Sequence, residues 1–286
     1  MQFSKNIYIK PKKAKKMLVF PNCKINLGLQ VIEKRKDGFH NIESVFYPVN
    51  WCDALEVIEG GSVPFSIEIS GLKVIGKQED NIIFKAWELI KEKCQIPNIR
   101  VFLHKTLPMG AGLGGGSSDA AFFLRIMNRK FSLKIDDNEL RNLAGKLGSD
   151  CSFFIENKPV LAAGKGDVFS VVNLNLKGYY MVIIYPGINS NTAEAYTGIT
   201  PLIPERSLKD IIENESIDNW RSLLKNDFEK SIFAKYPSIE RIKKQLYERG
   251  AIYASMSGSG SAVYGIFGKK ERFDDISRCT IFQIEL

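Results

Sequence analysis

The chain has 286 residues, of which 44% are hydrophobic and 25% are charged, a balance typical of a globular protein large enough for two domains. This balance excludes a disordered chain and a mini-protein. The net charge of +8 suits a polyanionic ligand without identifying one. No run approaches the roughly 18 apolar residues of a membrane helix, and lysines interrupt the apolar core that a signal peptide needs. We therefore expect a cytoplasmic protein that does not bind a membrane.

Cysteine and histidine are too sparse for several common kinds of site. The five cysteines are widely spaced and include no CxxC pair, which argues against a zinc ribbon or a dithiol redox centre. His40 and His104 are too few for a histidine-based metal site or a Ser/His/Asp triad. We predict buried free thiols and no metal site made by the protein alone. Any metal is expected to be Mg²⁺ brought by nucleotide phosphates.

Residues 1–16 are rich in lysine and poor in large apolar residues. We predict a loosely ordered basic extension there. An arm that binds nucleic acid is the alternative, but aromatic residues do not alternate with the lysines at a spacing that stacks bases.

The first half of the chain is predicted to begin with strands and to continue with helices. Alternating apolar and β-branched residues predict strands, and apolar residues at helical spacing predict helices, the first of them capped by Asn81. Gly148 ends the last of these helices, and Asp150 follows it. Strands are predicted at 18–20, 25–31, within 55–69 and at 101–103, and helices from 83, at 121–127 and at 137–147.

The second half is predicted to mix strands and helices around two loops. Strands are expected at 159–163, 180–184 and 262–267, and helices at 217–229 and 238–248. The loops are a turn-rich connection at 186–204 and a serine- and glycine-rich segment at 255–261. We place a domain boundary near Lys158, which gives domains at 17–158 and 159–286. No internal repeat is evident, which argues against a solenoid.

A glycine-dense loop lies between a predicted strand and a predicted helix. The start of a helix presents free N–H groups and a positive dipole end, and glycine lets a polyphosphate approach closely. The spacing is not a Walker loop, which requires a lysine and a hydroxyl after the last glycine, and glycine density alone produces a GxGxxG match. A flexible linker is the alternative, although the preceding proline and the apolar helix argue against it. The predicted phosphate-binding residues are Pro108, Met109, Gly110, Ala111, Gly112, Leu113, Gly114, Gly115, Gly116, Ser117 and Ser118.

Lys24 and Asp150 are the ionisable candidates for chemistry. Taken alone, each is more typical of a surface charge. Phosphoryl transfer needs a cation near the developing charge and a carboxylate that accepts or orients the attacking hydroxyl. A lysine, a phosphate loop and an aspartate form a sufficient set, but sequence spacing does not show that they converge.

Five segments together resemble the GHMP kinase superfamily. They are PNCKINLGL at 21–29, KDGFH at 36–40, PMGAGLGGGSS at 108–118, LGSD at 147–150 and SGSG at 257–260. The matches extend from about Val19 to Phe267 and follow the same order as in the superfamily. The lysine–asparagine strand followed by DGFH resembles the branch whose substrate is a methylerythritol that carries cytidine diphosphate.

The resemblance implies an α+β fold with two GHMP kinase domains. The N-terminal domain is expected to be like domain 2 of ribosomal protein S5, and the C-terminal domain to be ferredoxin-like. The implied reaction transfers the γ-phosphate of ATP, carried with Mg²⁺, to the 2-hydroxyl of the methylerythritol moiety in non-mevalonate isoprenoid precursor synthesis. The implied partners are the small-molecule substrate and ATP, with no nucleic acid, in a monomer or a homodimer.

The resemblance also implies roles for residues matched one by one. Asp150 is the catalytic carboxylate, Lys24 its cationic neighbour, and Asn26 orients the substrate. Phe39 and His40 form the cytosine site, by stacking and by hydrogen bonds to the base edge. The family often has tyrosine at the first of these positions, and phenylalanine keeps the ring face while losing the hydroxyl. A core aromatic and a satisfied loop histidine are the alternatives for these two residues.

Three further features keep more than one interpretation. Thr192 and Tyr196 resemble the segment that closes over the base, although residues 189–191 depart from the proline-rich pattern of the family. The loop at 257–260 either contacts substrate phosphates or forms a tight turn before a strand. Asp119 is either a charge near the start of a helix or a residue of the ligand site.

Three other kinds of function compete with this one. A superfamily kinase for homoserine, mevalonate or a sugar would keep the glycine loop and Asp150 but would not need an aromatic–histidine pair. A basic RNA-binding module would bind RNA in a salt-sensitive way and be indifferent to loss of Asp150. A catalytically silent scaffold is disfavoured because the residues required for transfer are present.

Overall fold

The computed structural model describes residues 17–273, 276 and 278–286. The predicted extension at 1–16 lies outside the described residues. The strands are β1 Met17–Val19, β2 Asn22–Lys34, β3 His40–Cys52, β4 Ala54–Glu59, β5 Phe65–Gly71, β6 Ile99–Lys105, β7 Val160–Ala163, β8 Val168–Val171, β9 Tyr180–Tyr185, β10 Tyr253–Met256, β11 Val263–Phe267 and β12 Thr280–Glu285. The α-helices are α1 Ile82–Lys93, α2 Gly115–Phe131, α3 Asp137–Leu147, α4 Ser149–Glu156, α5 Thr192–Ala195, α6 Leu208–Asn214, α7 Trp220–Leu223, α8 Phe228–Lys235 and α9 Pro237–Glu248.

The described strands form three four-stranded sheets. Their orders are β1-β4-β6-β5, β2-β3-β7-β8 and β10-β11-β9-β12. β5 and β6 are parallel, whereas the other neighbouring strands run antiparallel. Helices pack against these mostly antiparallel sheets, so the predicted α+β class is confirmed. Across the described part of the chain, no helix has both the length and the apolar character needed to cross a bilayer.

The first core lies between the β1-β4-β6-β5 sheet and helices α1 to α4. Alternate residues of β6, including Val101 and Leu103, face this core because a strand points successive side chains to opposite faces. The Asn81 side chain accepts a hydrogen bond from the Ile83 N–H, which confirms the predicted cap of α1. This core supports α2 and α4, the two helices that approach the site described below.

A second apolar layer joins β2 and β3 to the β10-β11-β9-β12 sheet, and α8 and α9 pack on the far side of that sheet. Ile239, Ile242 and Leu246 form the buried stripe of α9, at the spacing that places side chains on one helix face. Each such buried side chain contributes about 2 kcal/mol. The packing holds the second half of the chain against the long β2-β3 ribbon.

The predicted boundary near Lys158 falls between α4 and β7. β7 pairs with β3, with Ser44 opposite Ala162, so the β2-β3-β7-β8 sheet takes strands from both sides of residue 158. The division into domains at 17–158 and 159–286 stays a prediction.

The structure differs from the sequence prediction in two elements of the first half. The prediction missed β3, because Val45 and Phe46 are buried in succession and register shifts in the β2-β3 ladder remove the alternation that marks a strand. It also missed α4, because Cys151–Ile155 are buried without helical periodicity. Asp150 therefore lies in the first turn of α4 and not in an end segment of α3.

Two predicted helices have different limits. The helix expected at 121–127 begins at Gly115, so the last residues of the glycine loop form its first turn. The helix expected at 217–229 is interrupted, because Leu29 of β2 forms a parallel bridge with Asn226 and hydrogen bonds with its two neighbours. The strand extends the chain there, and α7 and α8 form on either side of it.

Candidate active site

A cavity of about 330 Å³ lies where β2, the glycine loop, α4 and the 257–260 loop meet. Eight residues predicted from the sequence to act at the site line this cavity, although they come from distant parts of the chain. They are Lys24, Asn26, Gly110, Gly112, Gly114, Asp150, Thr192 and Tyr196. The convergence that sequence spacing left open is therefore present in the fold.

Lys24 and Asp150 form an ion pair on the wall of the cavity. The Lys24 Nζ lies 3.3 Å from Asp150 Oδ2, and the two side chains are 4% and 32% exposed. The ammonium also donates a 2.7 Å hydrogen bond to Asn26 Oδ1 and lies 4.8 Å from the ring centroid of Phe46. A buried ammonium needs such partners. The lysine is thus held inside the protein while the carboxylate stays accessible to a ligand.

The position of Asp150 follows from a break between two helices. Gly148 has an extended backbone with φ of 165°, which ends α3 and starts α4. Asp150 then occupies the first turn of α4, where the helix dipole favours a negative charge. Phe153, one turn later, packs edge-on against Phe46 with ring centroids 5.5 Å apart.

Asn26 is held by hydrogen bonds at every polar group. Its Nδ2 donates to Ser44 Oγ at 2.8 Å, its Oδ1 accepts from Lys24, and its carbonyl oxygen accepts from the Tyr264 hydroxyl at 2.6 Å. Ser44 in turn donates to the Gly28 carbonyl at 2.6 Å. These bonds fix the amide, so Asn26 orients the Lys24 ammonium directly.

The glycine loop alternates glycines with buried apolar anchors. Gly110, Gly112 and Gly114 have φ values of 64°, 76° and 71°, which disfavour any residue with a Cβ. A Cβ on Gly112 would also collide with the Ser257 carbonyl oxygen. Ala111 and Leu113 are each 1% exposed and fasten the loop to the core. Pro108 is also buried, whereas Met109 is 47% exposed.

The start of α2 offers free groups for an anion. Gly114 precedes the helix, and Gly115, Gly116 and Ser117 open its first turn, where N–H groups have no partner within the helix. A Cβ on Gly116 would meet no atom closer than 4.0 Å, so the space beside this turn is open. The Ser118 hydroxyl is buried and finds no hydrogen-bond partner among the described residues. A phosphate fits this set of donors.

The 257–260 loop forms both a turn and part of the cavity wall, so its two interpretations are compatible. The Ser257 hydroxyl donates to the Gly112 carbonyl at 2.9 Å. Asn226 Nδ2 donates to the carbonyls of Met256 and Gly258, which shapes the turn before β11. Gly258 and Ser259 line the cavity.

The aromatic residues predicted to bind a base do not all line the cavity. The rings of His40 and Tyr196 stack at 4.5 Å with an interplanar angle of 15°, and the Tyr196 ring also lies edge-on to Phe228. Phe39 is 59% exposed and does not line the cavity. Its ring lies 5.1 Å from the Nζ of Lys165, which does line it. Thr192 begins α5, and its hydroxyl oxygen is 3.2 Å from that of Ser259.

Sequence reasoning missed Lys165 and Ser190 as residues of the cavity. Lys165 lies in the turn between β7 and β8, and its Nζ is 3.9 Å from Asp167. A lysine between two glycines, at 164 and 166, was the available signal. Ser190 donates a 2.8 Å hydrogen bond to the Ser259 carbonyl and so links the 186–204 connection to the loop before β11. No sequence pattern marks that contact.

A second cavity, of about 420 Å³, adjoins the glycine loop. Ile67, Ile69 and Leu103 form much of its apolar wall, and Met109 and Gly116 belong to the loop side. An apolar pocket next to a phosphate loop suits the base of a nucleotide.

A buried ion cluster borders this second cavity. Lys105 Nζ contacts the carboxylates of Asp53 and Asp119, the latter at 2.7 Å, and all three side chains are at most 3% exposed. Burial raises the pKa of the Asp119 carboxyl to about 8 against the opposing effect of Lys105. Burial would lower the pKa of Lys105, but the two carboxylates outweigh it and raise that pKa. Asp119 is therefore a buried member of this cluster next to the cavity.

Among the residues that the structure describes, no group of three or more His, Cys, Asp or Glu side chains is arranged to hold a metal ion. All five cysteines are free thiols, as predicted, but only Cys23 and Cys151 are buried, whereas Cys52, Cys94 and Cys279 are partly exposed.

Comparison with known proteins connects this geometry to a family. The models for the GHMP kinases N terminal domain and the GHMP kinases C terminal match residues 81–157 and 207–279. Relatives named 4-diphosphocytidyl-2-C-methyl-D-erythritol kinase, from Bacteroides fragilis and Parabacteroides distasonis, are 48% and 46% identical, and each match covers 94% of this chain and 100% of the relative. A crystal structure of 4-(cytidine 5'-diphospho)-2C-methyl-D-erythritol kinase matches with a TM-score of 0.73 and 29% identity, over 87% of this chain and 90% of that one. The GHMP kinase fold implied by the sequence is confirmed.

Proposed function

The chain belongs to the 4-diphosphocytidyl-2-C-methyl-D-erythritol kinase family of the GHMP kinases, and we propose that it phosphorylates the 2-hydroxyl of that cytidyl compound with ATP. The step belongs to non-mevalonate isoprenoid precursor synthesis. One observation carries the proposal. The Lys24–Asp150 pair and the glycine loop line the same cavity in a chain that is 48% identical, over 274 residues, to a relative of this name.

ATP is proposed to bind on both sides of the glycine loop. Its base enters the apolar cavity beside Ile67 and Leu103, and its phosphates take the free N–H groups at the start of α2. The unpartnered hydroxyl of Ser118 suits a phosphate oxygen or Mg²⁺. Ser117 and Ser118 would hold Mg²⁺ at the start of α2, where the ion would neutralise part of the phosphate charge.

Transfer of the phosphoryl group is proposed to use the ion pair. The hydroxyl oxygen of the substrate forms a bond to the γ-phosphorus while the bond to the bridging oxygen breaks and ADP leaves. Asp150, the more exposed partner of the pair, accepts the hydroxyl proton. The Lys24 ammonium stabilises the negative charge that develops beside it, because a buried cation acts in a medium of low dielectric. Asn26 holds that ammonium in place.

The cytidine end of the substrate is proposed to lie near Tyr196. A cytosine ring that stacks on Tyr196 replaces the His40 ring, which is then free to hydrogen-bond the base edge. Phe39 lies outside the cavity wall on the β2-β3 turn, next to Lys165, so its stacking on the base stays a prediction. Thr192 and Lys165 line the same cavity as Asp150. The diphosphate is proposed to lie beside them, between the base and Asp150, where the Lys165 ammonium can bind it.

The enzyme is proposed to act in the cytoplasm. Free thiols and the use of ATP support a cytoplasmic location. A monomer or a homodimer stays a prediction, as does the absence of nucleic acid among the partners.

A substrate panel tests the proposed function. ADP release from Mg-ATP is measured with the cytidyl methylerythritol compound, homoserine and mevalonate in parallel. We expect release with the cytidyl compound alone. Release with homoserine or mevalonate alone would assign another GHMP kinase activity. Salt-sensitive retention of RNA without ADP release would favour the nucleic-acid alternative.

A further inference from the structure

Asn22 and Asn157 form a reciprocal pair of side-chain amides. Asn22 Nδ2 donates to Asn157 Oδ1 at 3.2 Å, and Asn157 Nδ2 donates to Asn22 Oδ1 at 2.6 Å. Asn22 is 4% exposed, and its Nδ2 also donates to the Cys23 carbonyl at 2.8 Å. Neither asparagine lines the cavity of the ion pair. Any effect of this pair on the reaction therefore passes through other residues.

The amide pair joins the same two elements as the ion pair. Asn22 is the first residue of β2, and Lys24 follows it by two positions. Asp150 lies in the first turn of α4, and Asn157 is the C-cap of that helix. The eight-residue helix is about 12 Å long. β2 and α4 are thus tied at both ends of the helix, by Lys24–Asp150 and by Asn22–Asn157.

The contacts in the middle of α4 are made with elements other than β2. Phe153 packs on Phe46 of β3, and the Ser152 hydroxyl donates to the Arg141 carbonyl of α3 at 3.0 Å. The amide pair and the ion pair join the ends of α4 directly to β2. Paired amides require a defined distance and angle, so this pair restrains how far α4 lies along β2.

Both asparagines suit this task better than their local backbone requires. Asn157 has φ of 55° and ψ of 49°, a left-handed conformation that glycine adopts at lower cost. Asn22 begins a strand, a place where asparagine is disfavoured, and its buried amide would be costly without a partner. Each amide satisfies the other.

We propose that the Asn22–Asn157 pair is a positioning device that holds α4 along β2, so that the Asp150 carboxylate stays beside the Lys24 ammonium. The inference rests on the proposed function for its kinetic consequence. Its structural consequence, the separation of Lys24 and Asp150, does not depend on which alcohol is phosphorylated.

Asn157→Gly and Asn22→Ala test the proposal. Glycine keeps the left-handed backbone at 157, so this variant removes the amide alone. We expect kcat to fall about tenfold in each variant, since a misplacement of about 1 Å can cost up to about 100-fold. KM for ATP and for the cytidyl substrate should not change. The double variant should lose no more than either single one, because both remove the same pair.

Asn128→Ala is the matched control. The Asn128 amide also forms two hydrogen bonds, with the carbonyl and the N–H of Ile135 at 2.7 and 3.1 Å, at the far end of α2. We expect this variant to lose similar stability in urea unfolding while keeping kcat. Equal falls of kcat in Asn128→Ala and Asn157→Gly at matched stability would overturn the positioning role.

A crystal structure without substrate separates this inference from the proposed function. The distance from Lys24 Nζ to Asp150 Oδ2, 3.3 Å in the wild type, is measured in Asn157→Gly and Asn128→Ala. It should lengthen in Asn157→Gly and stay at the wild-type value in Asn128→Ala. An unchanged distance in Asn157→Gly would contradict the proposal whatever the substrate panel shows.

Discussion

The Ser257 hydroxyl donates a 2.9 Å hydrogen bond to the Gly112 carbonyl. This bond joins the loop before β11 to the middle of the glycine loop, and Ser257 also lies 3.3 Å from the Asn26 N–H. The phosphate loop is therefore held by the second half of the chain as well as by α2. Its geometry depends on the absence of a side chain at Gly112.

Gly112→Ala should damage both stability and nucleotide binding. A left-handed backbone costs roughly 1–2 kcal/mol for a residue with a Cβ, and the new methyl would collide with the Ser257 carbonyl. We expect a lower midpoint in urea unfolding and a higher KM for ATP. If Gly112→Ala has the unfolding midpoint and the KM for ATP of the wild type, the close approach of Gly112 to the Ser257 carbonyl is not required.

Gly116→Ala should weaken ATP binding without destabilising the fold. This residue lies in the first turn of α2 with open space around it, and alanine is favoured over glycine within a helix by about 1 kcal/mol. We expect the unfolding midpoint to hold or rise while KM for ATP increases, because the methyl enters the space for the phosphates. An unchanged KM would place the phosphates elsewhere.

Tyr196→Ala should weaken binding of the cytidyl substrate. Stacking of a base on an aromatic ring is worth about 1–3 kcal/mol, so KM for this substrate should rise by roughly 5- to 150-fold. Tyr196→Phe keeps the ring and should behave like the wild type, and KM for ATP should not change in either variant. Equal KM values for the cytidyl substrate in the alanine and phenylalanine variants would exclude stacking on this ring.

Lys165→Met should weaken binding of the cytidyl substrate, because it removes a positive charge from the cavity. Lys165 lines the cavity but is 39% exposed, so solvent screens its attraction for a diphosphate and a loss of about 1 kcal/mol is expected. KM for the cytidyl substrate should rise about fivefold at low salt and less at high salt. Lys209→Met removes a comparably exposed lysine that does not line the cavity and is the control. Matching KM values in the two variants would remove Lys165 from the site.

The parts of the fold that could be predicted are those with local signals. Asn81 capped α1 as expected, and the strand–glycine loop–helix order around 108–118 matches the structure. The elements that were missed depend on distant partners. β3 lacks alternation because both of its faces are partly covered, and the chain at 225–227 is extended because it pairs with Leu29.

The candidate site was predictable through residue types and motif order, and its geometry was not. Lys24 and Asp150 carried the chemistry in the sequence, but their 3.3 Å contact depends on how α4 packs on β2. Lys165 enters the cavity from a hairpin turn whose one signal, a lysine between two glycines, does not point to a ligand. Phe39 matched a motif, yet its ring lies off the cavity wall, because the turn that carries it projects into solvent.

Asp119→Asn should flatten the dependence of stability on pH. The pKa of Asp119 is about 8 in the folded protein because burial favours the neutral acid, and about 3.9 in an unfolded chain. The folded state therefore keeps a proton that the unfolded state releases. The free energy of unfolding that Asp119 contributes in this way is full below about pH 4 and is lost as pH rises through about 8. The asparagine variant should lose that slope in urea unfolding measured from about pH 5 to 8.

Asp210→Asn is the control for this prediction. Hydrogen bonding from Arg206 lowers the pKa of the exposed Asp210, so its titration lies below the window. The wild type and Asp210→Asn should show the same fall in stability with rising pH. A slope in Asp119→Asn as steep as in these two would contradict the assignment of the proton to Asp119.

The most direct test of the central claim is the turnover of Asp150→Asn with Mg-ATP and the cytidyl methylerythritol compound. Asparagine keeps the size of the side chain but cannot accept the hydroxyl proton, so kcat should fall by about 10²- to 10⁴-fold. Asp137→Asn, an exposed position in the first turn of α3, should keep wild-type turnover. ADP release by Asp150→Asn within a few-fold of the wild type would contradict the role of this carboxylate.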